Sequence, residues 1–174
     1  SSVGRSLGND VSRQLLELHP ELHDTHLTEM GNIVSAACLA HDLGNPPFGH
    51  SGERAMQAYF REGEGAYLQD YLCAETNDSL TPEQWQDLIH FEGNANAFRL
   101  LTHHFLGRRE GGFVMTYSTL ASIVKYPFTS SFAGAKGKFG FFRSEIADYR
   151  RIADELGILP LEISDAGCRY VRHP

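Results

Sequence analysis

The chain has 174 residues, of which 41% are hydrophobic and 21% charged, enough for one domain with a sizeable core or for a piece of a larger one. A formal net charge of −7 makes it a poor nucleic-acid binder by bulk electrostatics. The sequence has no apolar run near the ~18–20 residues of a membrane span. Residues 1–5 lack the basic region followed by an apolar stretch that is typical of a secretory signal, and none is expected. The irregularly spaced Cys38, Cys73 and Cys168 favour reduced thiols over a disulfide framework. We therefore expect a cytoplasmic protein without a membrane partner.

Helical periodicity dominates the first part of the chain. Apolar residues within 11–18 predict a helix that stops near Pro20, because proline cannot continue a helix. The polar residues 19–26 predict a loop, and a second helix is predicted from residue 28 or 29 to about residue 42. Its apolar stripe, spaced by three and four residues, consists of Met30, Ile33, Val34, Ala37, Cys38 and His41.

The middle of the chain is also predicted to be helical. A turn at Gly44-Asn45-Pro46-Pro47 precedes a third helix over residues 51–60. Thr81-Pro82-Glu83-Gln84 has the pattern of a capping box. The helix predicted to start there is expected to be interrupted around Gly93-Asn94 and to resume to about residue 105. The apolar side of the third helix is predicted to comprise Ala55, Met56 and Tyr59.

The last third of the chain predicts less regular structure. Residues 117–124 are predicted to form either a short helix or an extended segment, because periodicity alone does not distinguish the two. Residues 130–142 predict a loop rich in glycine, lysine and aromatic residues, and residues 144–156 a helix ended by Gly157. No strand pair is evident, so the fold class is all-α. Because there is no initiator methionine and no closing element, we expect a central segment of a larger all-helical protein, truncated at both ends.

The strongest chemical signal is the segment from His41 to Glu53. The helical stripe predicts that His41 faces the interior, with Asp42 beside it, and a buried carboxylate is costly unless it is paired or binds a metal ion. The turn at Pro46-Pro47 returns His50 and Glu53 towards this pair, and the two are spaced to share one side of a helical turn. The segment therefore predicts a metal or catalytic site.

Each of these residues also has a purely structural interpretation. An isolated His-Asp pair is more often structural than metal-binding. His50 could cap a helix, and Glu53 could be a first-turn carboxylate that interacts with the helix dipole. Four ionisable groups within thirteen residues, separated by a tight turn and small residues, favour the chemical interpretation.

The segment His41-Asp42-Leu43-Gly44-Asn45-Pro46-Pro47-Phe48-Gly49-His50-Ser51-Gly52-Glu53 closely resembles the signature of bacterial dGTPase-type triphosphohydrolases within the HD superfamily. The resemblance continues, in family order, at Phe91-Glu92-Gly93-Asn94-Ala95, at Lys125-Tyr126-Pro127 and at the stretch from Lys138 to Glu145. It extends over most of the chain and implies that residues 1–174 form part of a helical HD domain.

The resemblance implies one divalent metal ion, Mn²⁺ or Mg²⁺ or another transition metal, held by two histidines and two aspartates. His41 and Asp42 match the central doublet. The outer two ligands are expected outside this chain, and His23 and His26 are expected to be surface histidines. A metal ion would also offset the repulsion between an acidic chain and a polyphosphate.

The function that the resemblance implies is hydrolysis of dGTP or other deoxynucleoside triphosphates to a deoxynucleoside and inorganic triphosphate. In this interpretation His50 is the candidate catalytic group for proton transfer, and Glu53 orients its imidazole and balances its positive charge. The family also implies a homo-oligomer.

Four further residues match family positions for substrate binding. Asn94 and Tyr126 match positions that line the nucleotide site, and Lys125 and Lys138 match positions near the triphosphate. Without the resemblance, a solvated surface charge is as good an interpretation of either lysine as a phosphate-binding residue. Three nearby aromatic residues have the shape to stack on a base, but packing in the core or in an oligomer interface is favoured. They are Phe139, Phe141 and Phe142.

Other functions remain open at this point. A regulatory HD module could bind nucleotide without turnover, and another HD phosphohydrolase could act on nucleoside monophosphates, cyclic dinucleotides or alarmones. The Asn45-Pro46-Pro47 insertion and the pair of His50 and Glu53 argue against the latter. Weak binding of single-stranded nucleic acid through Lys136, Lys138 and the neighbouring aromatics is at most secondary, given the net charge.

Overall fold

The computed structural model of the chain describes residues 1–72, 80–107, 110 and 112–171. It is mostly helical, which confirms the predicted all-α class. None of the helices in these ranges is long and apolar enough to cross a membrane. The elements, in chain order, are α1 (Ser2–Leu18), α2 (Met30–Ala40), α3 (His50–Arg61), α4 (Leu68–Leu72), α5 (Pro82–Ile89), α6 (Gly93–Thr102), α7 (Tyr117–Ile123), α8 (Ile146–Leu156), β1 (Pro160–Ser164) and β2 (Gly167–Tyr170).

Some of the predicted helix boundaries agree with the structure and others do not. The capping box is confirmed, since Thr81 Oγ1 accepts from Gln84 N and the Gln84 side chain accepts from Thr81 N. The interruption predicted around Gly93-Asn94 lies just before these residues, at 90–92, and α6 ends at Thr102, short of the predicted residue 105. Residues 117–123 are helical. The first helix was predicted too short, because α1 already begins at Ser2. The predicted loop at residues 19–26 contains a 3₁₀ turn at Pro20–Leu22.

The prediction that the chain has no strand pair is wrong. β1 and β2 form an antiparallel hairpin in which Ile163 pairs with Cys168 and Ser164 with Gly167. Every residue of β1 is exposed, so this strand lacks the alternation of buried and exposed residues that marks a strand in sequence. Cys168 is buried in β2 as a free thiol, Cys38 is an exposed free thiol, and Cys73 lies outside the described residues.

The main core lies between α6, α7 and α8. Phe98 on α6 and Tyr149 on α8 both contact Phe141, whose ring is stacked on Tyr149 at a centroid distance of 4.4 Å. Phe139 and Phe142 pack in a second buried cluster with Ala95. The aromatic residues that follow Lys138 are therefore core residues, as favoured from the sequence, and they fix the loop in front of the first turn of α6.

Candidate active site

The pair of His50 and Glu53 lies at the start of α3. Gly49 precedes the helix with a positive φ of 52° and provides no side-chain cap. His50 is the first helical residue, and its Nδ1 lies 3.0 Å from Glu53 Oε2. The histidine side chain is 72% exposed and the carboxylate only 6%. The imidazole thus reaches into solvent while the carboxylate that orients it is buried, and His50 does not cap the helix.

The buried carboxylate of Glu53 is held by partners far away in the sequence. Its Oε1 accepts a hydrogen bond from Gly93 N at 2.8 Å, and its Oε2 accepts one from Lys138 Nζ at 3.2 Å. Burial acts to raise the pKa of Glu53, but the hydrogen bonds from Gly93, His50 and Lys138 outweigh it and the pKa is lowered. Glu53 is therefore ionised at neutral pH.

Glu92 is the site residue that the sequence did not single out, although it lies within the matched segment from Phe91 to Ala95. It is 1% exposed and caps α6, since its Oε2 accepts from Asn94 N at 2.8 Å and Ala95 N at 3.2 Å. Its Oε1 accepts from Asn94 Nδ2 at 2.8 Å and from Lys138 Nζ at 2.6 Å. A glutamate within the matched segment, directly before the predicted break at Gly93-Asn94, is the signal that could have identified it.

Lys138 joins the two buried carboxylates. Its side chain is 26% exposed, and its ammonium donates to both Glu92 and Glu53. Burial acts to lower the pKa of Lys138, but the hydrogen bonds and charges of Glu92 and then Glu53 outweigh it and the pKa is raised. Lys138 is therefore a charged member of the cluster and not a solvated surface lysine.

His50, Glu53, Glu92 and Lys138 line a cleft of about 550 Å³ between α3, the end of α5 and the loop at residues 134–138. The lining includes the carboxylates of Glu53 and Glu92, both of which contact Lys138. It also carries three further cationic side chains, so that cations outnumber carboxylates in a chain with a net charge of −7. The three further cations are Arg54, Arg61 and Lys136. A lining of this kind suits an anionic ligand.

The prediction that His41 faces the interior, with Asp42 as a buried carboxylate, is wrong. Their side chains are 59% and 68% exposed, and His41 Nε2 lies 3.0 Å from Asp42 Oδ2. The physical reason is that the apolar stripe is not the face of α2 that becomes buried: the buried residues are Gly31, Ser35 and Ala40, and Cys38, on the stripe and within the helix, is exposed as well. His41 lies in the following turn, where its Nδ1 contacts Cys38 O at 2.8 Å.

The turn after α2 is docked on the start of α6. Asn45 Nδ2 donates to Asp42 Oδ1 at 2.9 Å, and Gly44 O accepts from Asn96 Nδ2 at 2.9 Å. A Cβ atom on Gly93 would overlap Asn45 Oδ1 and lie 2.8 Å from Glu53 Oε1. Gly93 is thus the point where the turn that carries Asp42 and the helix that carries Glu53 come together, and only glycine fits there.

The donor chemistry of His41 and Asp42 is compatible with a metal ion. With the His41 proton on Nδ1 donated to Cys38 O, Nε2 keeps a lone pair for a metal ion, and a ring N–H donated to a carbonyl is the usual second contact of a metal-binding imidazole. Within the described residues, however, no three His, Cys, Asp or Glu side chains are grouped so that they could hold an ion together.

Lys125 and Tyr126 lie apart from the His50 cleft. Lys125 is exposed, and its Nζ lies 5.5 Å from the centre of the Tyr126 ring. Lys125 lines a different, larger cleft of about 850 Å³ beside Tyr149 and Ile158. Of the residues predicted from the sequence, the structure thus brings His50, Glu53, Asn94 and Lys138 into one network around Glu92.

Comparison with known proteins confirms the resemblance that the motifs indicated. No family model matches the chain. A deoxyguanosinetriphosphate triphosphohydrolase-like protein from Pseudomonas aeruginosa (strain LESB58) is 42% identical over 99% of the chain. Proteins of the same name from Synechocystis sp. and Listeria monocytogenes are 40% and 31% identical over 100% and 87% of it. The chain spans 37%, 40% and 34% of the length of these three relatives.

Proposed function

We propose, from the premise that this chain is related to deoxyguanosinetriphosphate triphosphohydrolase-like proteins over nearly its whole length, that its His50 cleft is the reactive centre of a metal-dependent hydrolysis. The substrate would be dGTP or another deoxynucleoside triphosphate, and the products a deoxynucleoside and inorganic triphosphate. The observation that carries this proposal is the network of His50, Glu53, Lys138 and Glu92 at the wall of a cleft rich in cations.

The reaction requires movement of one proton. The oxygen of a water molecule bonds to the α-phosphorus, the bond from this phosphorus to the 5′ oxygen breaks, and the 5′ oxygen takes up a proton. Nδ1 of His50 faces Glu53, so Nε2 is the nitrogen that would receive and deliver protons in the cleft. Glu53 keeps the ring in this orientation and balances the charge of the imidazolium while it exists.

The charge of the triphosphate would be met by the cationic lining. Arg54 lies one turn and Arg61 about three turns from His50 along α3, and Lys136 lines the cleft from the loop at residues 134–138. These side chains can approach a chain of phosphates that extends away from the imidazole. We propose Lys125, Tyr126 and Asn94 as further substrate-binding residues on the basis of their family positions.

We propose His41 and Asp42 as two ligands of the divalent metal ion. Such an ion, Mn²⁺ or Mg²⁺, polarises a phosphate oxygen when it is bound. The contribution of this chain is to orient the two donors: Cys38 O accepts from the imidazole, and Asn45 Nδ2 donates to the carboxylate.

The experiment that tests this function identifies the phosphate product. The intact natural protein is incubated with dGTP and Mn²⁺ or Mg²⁺, and the products are resolved by ³¹P NMR. Intact triphosphate together with deoxyguanosine, both abolished by chelation of the metal, is the expected result. Pyrophosphate or orthophosphate would indicate a different phosphohydrolase reaction. Metal binding without turnover of any deoxynucleotide would favour a regulatory module that binds nucleotide.

A further inference from the structure

Glu92 has no part in the proton transfer proposed above, yet its charge is buried almost completely. The residue caps α6 by accepting from Asn94 N and Ala95 N. Serine, threonine or asparagine would cap a helix equally well without burying a charge, and an unpaired buried charge is costly. The negative charge at this position therefore points to a role beyond the cap.

That role involves Lys138. The ammonium of Lys138 lies 2.6 Å from Glu92 Oε1 and 3.2 Å from Glu53 Oε2. Glu92 is the closer acceptor and is itself fixed at the helix terminus by three further hydrogen bonds. Glu92 thus fixes the position of the Lys138 ammonium, and this position determines the direction from which the ammonium donates to Glu53.

Both oxygens of Glu53 depend on the same short segment. Oε1 accepts from the backbone of Gly93, and Oε2 accepts from the Lys138 ammonium that Glu92 anchors. His50 Nδ1 contacts this same Oε2 at 3.0 Å. The orientation of the exposed imidazole therefore rests on a carboxylate that Glu92 holds through Lys138.

We propose that Glu92 is a positioning residue for the pair of His50 and Glu53 and that it acts through Lys138. This role rests on the proposed function, in which His50 moves a proton. In Glu92→Gln the side chain keeps its size and an oxygen that can cap α6, but it loses the charge that anchors the ammonium. We expect kcat to fall on the order of 10- to 100-fold, with a smaller change in KM, because a slightly displaced proton-transfer group costs rate more than binding.

A double-mutant cycle tests whether Glu92 acts through Lys138. Glu92→Gln, Lys138→Met and the double variant are compared in the intact natural protein with its metal. If the role is exerted through the lysine, Glu92→Gln lowers kcat in the wild-type background and has little further effect in Lys138→Met. An equal loss in both backgrounds would assign Glu92 to the helix cap alone and overturn the proposal. Thr81→Ala, which removes the side-chain cap of α5, is the matched control and should leave kcat unchanged.

A second measurement does not depend on turnover. The pKa of Lys138 is read from the ¹³C NMR signal of its side chain, which Lys138→Met identifies. Glu92→Gln should lower this pKa more than Glu53→Gln does, because Glu92 is the stronger of the two partners that raise it. An unchanged lysine pKa in Glu92→Gln overturns the positioning role whatever the products are. A lowered pKa in a protein that releases no triphosphate overturns the proposed function alone.

Discussion

The pair of His41 and Asp42 and the pair of His50 and Glu53 lie close together in sequence, and they are held in opposite ways. The carboxylate of Glu53 is buried and bonded to Gly93 and Lys138, which lie 40 and 85 positions further along the chain. The carboxylate of Asp42 is exposed and contacts His41 beside it and Asn45 three positions away. One pair is built by tertiary structure, and the other by a local turn.

The two pairs therefore differ in how far they are oriented before a ligand binds. A buried carboxylate with both oxygens bonded is already oriented, so the His50 pair needs little reorganisation to act. An exposed pair that is oriented by one turn keeps rotational freedom, and part of any metal-binding free energy must be used to order it. We expect perturbations of the His50 pair to change rate, and perturbations of the His41 pair to change metal affinity.

The largest expected effect comes from removing the proton-transfer group. His50→Ala should lower kcat for triphosphate release on the order of 10²- to 10⁴-fold, with little change in thermal stability because the side chain is exposed. The measurement is kcat together with the melting temperature. His19→Ala is the matched control, since His19 Nδ1 also lies 3.0 Å from a glutamate, Glu21, but both side chains are exposed. Equal activity of both variants would remove His50 from the mechanism.

The second effect should appear in metal affinity. Asn45→Ala removes the amide that donates to Asp42 Oδ1, and loss of such an outer partner typically weakens metal binding about 10- to 100-fold. Calorimetric titration with Mn²⁺ measures the change. Asn32→Ala is the control, because Asn32 makes a comparable local bond to Glu29. Unchanged affinity in Asn45→Ala would show that the turn at residues 42–45 does not orient a metal ligand.

The third effect tests the point where the two pairs meet. Gly93→Ala places a Cβ against Asn45 Oδ1 and Glu53 Oε1, and overpacking of this kind costs about 1–3 kcal/mol. We expect lower stability in urea together with lower kcat. In the control Gly4→Ala the new Cβ meets Cys38 Sγ at 2.7 Å, a side chain that can rotate away. Wild-type behaviour of Gly93→Ala would contradict the close approach of the two regions.

The smallest effect is in the pH dependence of stability, and it has opposite signs for two buried glutamates. The pKa of Glu53 is lowered because its hydrogen bonds outweigh burial, so its stabilisation is fully present above its ordinary pKa of 4.5 and is lost as pH falls through the lower folded value. Burial raises the pKa of Glu145, and its Oε2 lacks a hydrogen-bond partner among the described residues. Its protonated form is favoured on folding, so stability falls as pH rises from 4.5 through the raised value.

Urea unfolding of Glu53→Gln and Glu145→Gln across this pH range checks the signs. As the solution is acidified from neutral pH to below pH 4.5, the advantage of wild type over Glu53→Gln should shrink. Over the same change wild type should gain stability relative to Glu145→Gln. Parallel pH profiles for the two variants would contradict the different environments of these carboxylates.

Local chemistry explains what could be predicted from the sequence. The capping box at Thr81 and Gln84 depends only on chain neighbours and was found with both of its bonds. The spacing of His50 and Glu53 predicted a contact within one helical turn, and that contact is present. The error at His41 arose because periodicity finds an apolar stripe but not whether another element covers it, and Cys38 on the same stripe is also exposed.

Long-range pairing explains what could not be predicted. Nothing in the sequence near Glu92 indicates that a lysine 46 positions away completes its hydrogen bonds. The hairpin of β1 and β2 was missed because β1 is exposed throughout and contains no buried alternation. The family resemblance supplied positions for Lys125 and Lys138 but not the fact that they line different clefts.

The most direct test of the central claim is the fate of the oxygen atom from water. The intact natural protein is supplied with dGTP and Mn²⁺ in H₂¹⁸O, and the products are examined by ³¹P NMR and mass spectrometry. The proposed reaction at the His50 cleft predicts a single ¹⁸O on one terminal phosphate of intact triphosphate and none in the deoxyguanosine. Label in the nucleoside 5′-hydroxyl, in orthophosphate or in pyrophosphate would contradict attack of water on the α-phosphorus.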